Sequence, residues 1–169
     1  MTKAHTTIAL TNPKSPTNVG AVLRSAGCFA AEEVLYNGDR FDIARKFHTD
    51  THGANERIHL QRVDDFMAAK APGATVICVD LIEGATPLAQ FEHPANALYI
   101  FGPEDGSISQ TVIDQADEVV YIPTLDCLNL AQTVNIVLYD RATKLELVAQ
   151  GDAQIRGSRD RNNSTKVKR

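Results

Sequence analysis

The stretch Ala97-Leu-Tyr-Ile-Phe101 is continuously apolar and runs directly into Gly102-Pro-Glu-Asp-Gly106. A second stretch, Thr75-Val-Ile-Cys-Val-Asp80, has the same uninterrupted pattern. Strands with one solvated face alternate apolar and polar residues, whereas strands covered on both faces of a parallel sheet do not. The two stretches therefore predict central strands of a buried parallel sheet, which favours an α/β fold.

Outward from these strands, short apolar runs alternate with helix-like segments along most of the chain. The segments cover residues 7–10, 19–30, 33–36, 63–70, 75–80, 97–101, 109–116, 118–122 and 130–149. Alternation at this spacing predicts a mostly parallel sheet flanked by helices on both faces. Residues 39–55 form a long connection without clear periodicity, which makes them a candidate functional loop.

Length and composition restrict the class of protein. The 169 residues are enough for about one domain. The chain has no run of roughly 20 apolar residues, and its first residues lack the apolar core of a secretory signal. Cys28, Cys78 and Cys127 are widely separated and odd in number, so neither a disulfide framework nor a zinc site is expected. We expect a cytoplasmic protein that does not contact a membrane.

The charge is divided unevenly along the chain. The net charge is −4, yet residues 156–169 hold six basic residues against one acid, so this segment carries +5 and the rest of the chain −9. A basic arm on an acidic body fits a polyanionic partner, and the arm is too poor in apolar residues to order itself alone. We therefore expect a domain over residues 1–154 and a basic, disordered tail over 155–169. A tail without function is the alternative.

Ligands of open α/β sheets lie beyond the carboxyl ends of the strands, which directs attention to residues 11–18, 102–109 and 123–129. The first of these loops leads into a helix whose apolar stripe is Val19, Val22, Leu23, Ala26 and Ala30. At roughly 100° per residue, Gly20, Arg24 and Gly27 share another face, where a guanidinium lies beside two sites of close approach. Alternatively, Thr17 or Asn18 caps the helix and Arg24 is a solvated charge.

The second loop follows a predicted buried strand. Gly102 lets a ligand lie against the main chain, while Glu104 and Asp105 suit a ribose or an amine and repel a phosphate. Neither a Walker motif nor Gly-x-Gly-x-x-Gly is present. The loop is therefore not expected to hold a nucleotide through its phosphates.

The third loop, Ile122-Pro-Thr-Leu-Asp-Cys-Leu-Asn-Leu130, precedes the longest predicted helix, and its tight, apolar, proline-braced backbone is suited to gripping an adenine. Asn129 also has a structural interpretation, because with Gln132 it forms a version of a capping box. A third feature, His48-Thr-Asp-Thr-His52, lacks a third metal ligand at a recognisable spacing. We expect it to hold RNA or the loop itself, and we expect no metal.

Together the three loops resemble the motifs of the SPOUT superfamily, in its TrmH-like (SpoU) branch of RNA ribose methyltransferases. The first match is Asn18-Val-Gly-Ala-Val-Leu-Arg24, the second is Ile100-Phe-Gly-Pro-Glu104, and the third is Ile122-Pro followed by Leu128-Asn129. The resemblance spans residues 12 to about 145. It implies an α/β fold with a C-terminal trefoil knot, S-adenosylmethionine as cofactor, and a homodimer whose active site draws on both chains.

The resemblance also assigns roles to residues. The implied catalytic set is Asn18, Arg24, Glu104 and Asn129. The implied cofactor contacts are Asp80, Gly102, Ile122, Cys127 and Leu128. The family usually has Ser-Leu-Asn in the third motif, whereas this chain has Cys127-Leu128-Asn129. Because a thiol is a weaker hydrogen-bond partner than a hydroxyl, the change matters if the serine positions the nucleophile or Arg24, and matters little if its role is steric.

The resemblance implies an S-adenosylmethionine-dependent enzyme that methylates a ribose 2′-hydroxyl in RNA, and it favours tRNA over ribosomal RNA because the chain resembles the minimal tRNA enzymes of the family. We do not expect DNA as a partner. A guanidinium stays protonated in proteins, so we interpret Arg24 as a cation that holds a substrate phosphate and stabilises the developing alkoxide; its role as base stays open. The alternatives are an enzyme for ribosomal RNA, a catalytically inactive knotted RNA-binding protein, and a nucleotide-binding regulator without RNA.

Overall fold

The computed structural model describes residues 4–46 and 58–167. Within these ranges the strands are β1 His5–Leu10, β2 Glu33–Tyr36, β3 His59–Arg62, β4 Thr75–Val79, β5 Thr86–Pro87, β6 Asn96–Phe101 and β7 Glu118–Tyr121. The helices are α1 Pro16–Cys28, α2 Arg40–Arg45, α3 Phe66–Ala69, α4 Gln110–Ile113, α5 Leu130–Lys144 and α6 Asp152–Ser158, and a single 3₁₀ turn covers Leu88–Gln90.

In the described residues, all seven strands belong to one sheet with the order β3-β2-β1-β6-β4-β7-β5. Every neighbouring pair is parallel. The two strands predicted to be central are confirmed: β6 lies between β1 and β4, and Ile77, Cys78, Leu98 and Ile100 are fully buried. This arrangement confirms the predicted α/β class with a mostly parallel sheet, and it places the ends of β1, β6, β4 and β7 side by side.

Helices cover both faces of the sheet, which explains why the central strands do not alternate. On one face α1 and α5 pack against strand residues that include Ile8, Val79 and Tyr99. On the other face α3 and α4 pack against residues that include Ala9, Cys78 and Leu98. Because successive strand residues point to opposite faces, both sets must be apolar.

The start of α1 differs from one alternative that the sequence left open. The N-cap is Ser15, whose hydroxyl accepts from the main-chain N–H of Asn18 at 3.2 Å, and Pro16 begins the helix. The idea that Thr17 or Asn18 is the cap is therefore wrong. The Asn18 side chain is left available for other contacts.

A buried polar network holds the second half of α5 against the sheet. Arg141 is 2% exposed and donates to the main-chain carbonyls of Pro94 and Ala95 at 3.2 and 2.6 Å. The ring of His93 lies 2.6 Å from the Tyr99 hydroxyl and 2.8 Å from Asp140. Burial lowers the pKa of His93, although Asp140 opposes the shift, so the ring is neutral near pH 7. These contacts fix the helix whose first turn lies beside the candidate site.

Two expectations about the chain stay predictions, namely the trefoil knot and the division of the chain at residue 154. The predicted boundary falls inside α6, and residues 159–167 follow without a further helix or strand. The predicted long connection begins with α2, and its residues 47–57 lie outside the described ranges. Among the described residues, no helix combines the length and apolar character needed to cross a membrane.

Candidate active site

A cleft of about 210 Å³ opens at the carboxyl edge of the sheet, between the ends of β4, β6 and β7. Seven of the nine predicted site residues line it: Asp80, Gly102, Glu104, Ile122, Cys127, Leu128 and Asn129. The structure therefore brings together residues that are up to 49 positions apart in the sequence. It does so because parallel strands present their carboxyl ends at one edge.

Glu104 is the most strongly held polar side chain of the cleft. Its carboxylate is 9% exposed and accepts from the main-chain N–H groups of Lys14 and Ser15 at 3.0 and 3.1 Å, and from the Asn18 amide at 3.0 Å. Burial raises the pKa of Glu104, but the hydrogen bonds from Asn18, Lys14 and Ser15 outweigh it and set the pKa below its ordinary value. Glu104 is therefore a carboxylate near neutral pH.

Asn18 connects Glu104 to the start of α5. Its amide donates to Glu104, and its side-chain oxygen accepts from the Asn129 amide at 3.1 Å. Asn129 is also the N-cap of α5, since its side-chain oxygen accepts from the main-chain N–H of Ala131 at 2.9 Å. Asn129 thus caps the helix through Ala131, while no bond to Gln132 of the predicted capping box is formed among the described residues. Its NH₂ group faces Asn18 at the cleft, and its catalytic role stays a prediction.

Asp80 lies in the cleft, but its carboxylate is used by the protein itself. One oxygen accepts from the N–H of Leu81 at 2.7 Å and the other from the N–H of Ile108 at 2.9 Å. At Gly102, a Cβ would lie 3.0 Å from this carboxylate. Gly102 therefore allows the loop after β6 to pack closely against Asp80, and Asp80 orders the wall of the cleft.

The remaining wall is formed by the loop between β7 and α5. Ile122 is half-buried, while Cys127 and Leu128 are exposed towards the cleft. The Cys127 N–H donates to the Asp126 side chain at 2.7 Å, whereas its thiol makes no hydrogen bond within the described part of the chain. This wall combines apolar side chains with main-chain groups of a constrained loop.

Arg24 lies elsewhere. It is exposed in a shallow groove between α1 and α5, together with residues that include Cys28, Phe29, Gln132 and Asn135. In residues 4–46 and 58–167 it has no hydrogen bond or ion pair. Gly20 and Gly27, predicted to share its face, have no close neighbour at the position of a Cβ, the nearest being an Ile58 carbon at 3.8 Å from Gly27. One chain thus assembles three of the four polar residues and leaves Arg24 on its outer surface.

Sequence reasoning did not identify the residues that hold the second loop from outside. Lys14 and Arg40 both pair with Asp105, at 3.3 and 2.9 Å, and Arg40 also lies 3.7 Å from Glu104. Lys14 and Arg40 are 26 residues apart, and Arg40 follows the unrecognised turn after β2. The adjacent acids Glu104 and Asp105 were a signal in the sequence, because two neighbouring carboxylates in a packed loop are stabilised by nearby cations. They did not indicate which basic residues would lie beside them.

The structure adds nothing that would hold a metal in the part of the chain it describes. No group of three or more His, Cys, Asp or Glu side chains is placed to bind an ion in these residues. Cys28, Cys78 and Cys127 are free, and burial raises the pKa of Cys78 to about 12. The residues 48–52 lie outside the described ranges.

The fold and the cleft define a parallel α/β protein with a ligand site at the carboxyl edge of its sheet, built by three loops. A model of the SpoU rRNA Methylase family matches residues 5–139. The chain therefore belongs to the SpoU rRNA Methylase family, which confirms the resemblance seen in the three motifs.

Individual relatives are more distant. The chain is 26% identical over 145 residues to the 23S rRNA (guanosine-2′-O-)-methyltransferase RlmB of Acinetobacter baylyi, covering 79% of this chain and 57% of that protein. It thus spans little more than half the length of that relative. The AdoMet-bound rRNA methyltransferase of Sinorhizobium meliloti has a TM-score of 0.72 at 21% identity, covering 87% of this chain and 58% of that one.

A third protein matches in length as well as fold. A structure described as giving insights into the 2-OH methylation of C/U34 on tRNA has a TM-score of 0.71 at 20% identity. The match covers 86% of this chain and 94% of that chain. At 20% and 21% identity, these two structural matches show that the fold is shared.

Proposed function

We propose that the protein is an S-adenosylmethionine-dependent RNA methyltransferase that methylates a ribose 2′-hydroxyl, with tRNA as the substrate. The observation that carries the proposal is the hydrogen-bonded series from Asn129 through Asn18 to Glu104, which lies at a cleft formed by all three motif loops. Membership of the SpoU rRNA Methylase family supports the same chemistry.

The residues of the cleft fit the proposed cofactor. Ile122 and Leu128 would supply apolar contacts for an adenine, and Gly102 lets the second loop pack closely against Asp80 at the wall of the cleft. The carboxylate of Glu104 gives the cleft a negative charge, which would favour a cofactor that carries a sulfonium and an ammonium group. When bound, S-adenosylmethionine would supply an electrophilic methyl group, whose transfer to the ribose oxygen breaks the carbon–sulfur bond, leaves S-adenosylhomocysteine and releases the hydroxyl proton to solvent.

The residues of this chain position the groups and stabilise charge. Glu104 is a weak proton acceptor, because three N–H donors occupy it and its pKa is lowered. Its role is to fix the Asn18 amide, and through it Asn129, at the edge of the cleft. Correct placement of the attacking hydroxyl accounts for much of the rate enhancement in transfers of this type.

The position of Arg24 supports a homodimer in which each active site draws on both chains. Arg24 is not among the residues that line the cleft of its own chain, and its groove is continued by apolar surface. Tyr139 is 62% exposed and packs edge-on against Phe29, and Ile136 is 37% exposed. A second copy that covers this face would bury the apolar residues and carry Arg24 to the partner's cleft, where its charge holds a substrate phosphate.

The choice of tRNA rests on a structural neighbour and on charge. The structure from the study of tRNA position 34 shares the fold of this chain with a TM-score of 0.71. The basic residues 156–169 offer charge for an RNA backbone. We propose a cytoplasmic location, as expected from the sequence.

The direct test is methyl transfer by the purified protein to tRNA and to ribosomal RNA from cells that lack the gene, with mapping of the 2′-O-methyl sites. We expect incorporation into tRNA. Incorporation into ribosomal RNA alone would show that ribosomal RNA, and not tRNA, is the substrate. RNA binding without incorporation would favour the alternative of an inactive RNA-binding protein, which Cys127 suggests.

Mixed dimers test the shared site. Arg24→Ala and Asn129→Ala subunits, each inactive alone, are unfolded together and refolded at equal concentration. If Arg24 acts on the partner's cleft, random pairing restores about a quarter of the wild-type sites. If Arg24 serves its own cleft, the mixture stays as inactive as its components.

A further inference from the structure

The loop after β2 contacts the candidate active site although none of the three motifs includes it. In the sheet β2 lies beside β1, and β1 beside β6, so the loops that follow these strands are neighbours. Asn37 accepts from the main-chain N–H of Asn12 at 2.8 Å, which joins the loops after β2 and β1. Gly38 has a φ of 72°, and a Cβ there would collide with the Asn12 side chain. This close packing fixes the residue that begins α2, Arg40.

Arg40 is directed at the two acids of the second motif loop. One guanidinium nitrogen donates to Asp105 at 2.9 Å. The other lies 3.7 Å from the Glu104 carboxylate, is buried, and makes no hydrogen bond within the described part of the chain. Arg40 therefore holds Asp105 by a hydrogen bond and Glu104 by charge.

We propose that Arg40 is a positioning residue for Glu104, so that the turn after β2 belongs to the machinery of the active site. The catalytic consequence rests on the proposed methyl transfer. Arg40 is 30% exposed while Glu104 is 9% exposed, so part of their attraction is shielded from water. Without Arg40, Glu104 would keep the N–H donors that lower its pKa. It would lose the cation that lies 3.7 Å away and that holds its neighbour Asp105.

Other charged groups near this pair do not replace Arg40. Lys14 reaches Asp105 at 3.3 Å with a side chain that is 51% exposed, so solvent weakens its contribution. Asp80 is the other carboxylate of the cleft, and it is tied to Leu81 and Ile108. Arg40, followed by Lys14, holds the pKa of Asp105 below its ordinary value.

The proposal separates positioning from direct RNA binding. A positioning residue acts on the rate of the bound complex, whereas a phosphate contact acts on RNA affinity and its salt dependence. The variants are Arg40→Ala, Arg40→Lys, and Arg45→Ala as the matched control. Arg45 lies at the end of the same helix and pairs with Asp42 at 3.1 Å.

For Arg40→Ala we expect kcat to fall about tenfold to a hundredfold, with affinity for S-adenosylmethionine within about twofold and an unchanged salt slope of RNA binding. Arg40→Lys should recover part of kcat, and Arg45→Ala should match the wild type. A loss of RNA affinity with a flatter salt slope, or an equal loss in Arg45→Ala, would overturn the proposal.

A second readout does not depend on activity. The side-chain amide of Asn18 donates to Glu104 and reports its position by NMR. Its resonances should shift in Arg40→Ala and stay in place in Arg45→Ala. If the wild type transfers no methyl group and these shifts are seen, the proposed function fails and the positioning role stands. Unmoved Asn18 resonances in Arg40→Ala overturn the positioning role, whatever the activity.

Discussion

The cleft and the groove between α1 and α5 each contain polar residues that the motifs predicted, and they differ in how many contacts the chain makes to those residues. In the cleft, Asn129, Asn18 and Glu104 hold one another, and Glu104 is 9% exposed. In the groove, Arg24 is exposed among apolar neighbours and has no partner in the residues described. The polar residues of the cleft are therefore held within the monomer, whereas Arg24 is exposed at the surface of the groove. In the homodimer that we propose, the cleft positions the ligand and Arg24 completes the cleft of the partner subunit.

The sharpest test of this comparison is Arg24→Ala. Because Arg24 makes no hydrogen bond or ion pair with the described part of its own chain, the variant should fold normally, bind S-adenosylmethionine as the wild type does, and lose nearly all methyl transfer. Calorimetric cofactor binding, thermal unfolding and RNA methylation measure the three expectations. A variant that unfolds, or that keeps more than about a tenth of the activity, corresponding to a loss of roughly 1.4 kcal/mol or less, would make Arg24 structural or peripheral.

Asn129 tests the residues that are held in the cleft, because its side-chain oxygen and its NH₂ group have separable roles. Asn129→Ala removes both and should cost about 1 kcal/mol of stability through the missing cap as well as activity. Asn129→Asp keeps the capping oxygen and replaces the NH₂ group that faces Asn18. We expect it to unfold like the wild type and to lose at least about tenfold in methyl transfer. Full activity in Asn129→Asp would reduce Asn129 to a helix cap.

The elements that sequence predicted well are those whose pattern reflects burial. β4 and β6 were located within one residue because both of their faces are apolar. β3 was not predicted, since it lies at the sheet edge and its residues are mostly exposed. β5 has two residues, too few for any pattern. The cap at Ser15 did leave a local signal, because proline is favoured at the first position of a helix.

The site was predicted in part for a similar reason. Its three loops contain motif residues at fixed spacings, and the structure places seven of the nine predicted residues at one cleft. The position of Arg24 relative to that cleft depends on how α1 rotates against α5, which its own sequence does not specify. Arg40 contacts Glu104 and Asp105, which lie 64 and 65 positions later in the chain. The strand order brings these residues together.

The tail extends the comparison to RNA affinity, because it is the largest concentration of positive charge on an acidic chain. A chain ending at Gln150, before α6, should bind RNA more weakly, with the log–log salt slope flattened by about 0.7 to 0.9 for each RNA phosphate that the tail neutralises. Cofactor binding should survive, since the cleft lies upstream. Parallel salt lines for the two chains would mean that RNA is held elsewhere, for example by Arg24, Lys46 and residues 48–52.

A pH titration tests whether Glu104 is held as a carboxylate. Its pKa is lowered in the folded protein, so its contribution to stability is present above the ordinary glutamate value of about 4.3 and is lost as the pH falls through the folded value. The melting temperature of the wild type should exceed that of Glu104→Gln at pH 7, and the gap should shrink below about pH 4. Asp105 titrates in both proteins, so its contribution cancels in the difference between the two melting temperatures. If the difference in melting temperature stays constant down to pH 3, the charge of Glu104 does not contribute to the stability of the protein.

The smallest expected effect concerns Cys127, where the family usually has serine. Its thiol lines the cleft but makes no hydrogen bond among the described residues, so a hydroxyl at this position gains no partner from the chain. Cys127→Ser should therefore change methyl transfer by less than about threefold, or ~0.6 kcal/mol in the transition state. Cys127→Ala is the control, and it should behave in the same way if the residue only fills space. A tenfold gain in Cys127→Ser that Cys127→Ala lacks would mean that the hydroxyl binds the nucleophile or the partner's arginine. The active site would then lack a hydroxyl that the family usually has, because Cys127 stands in place of the serine.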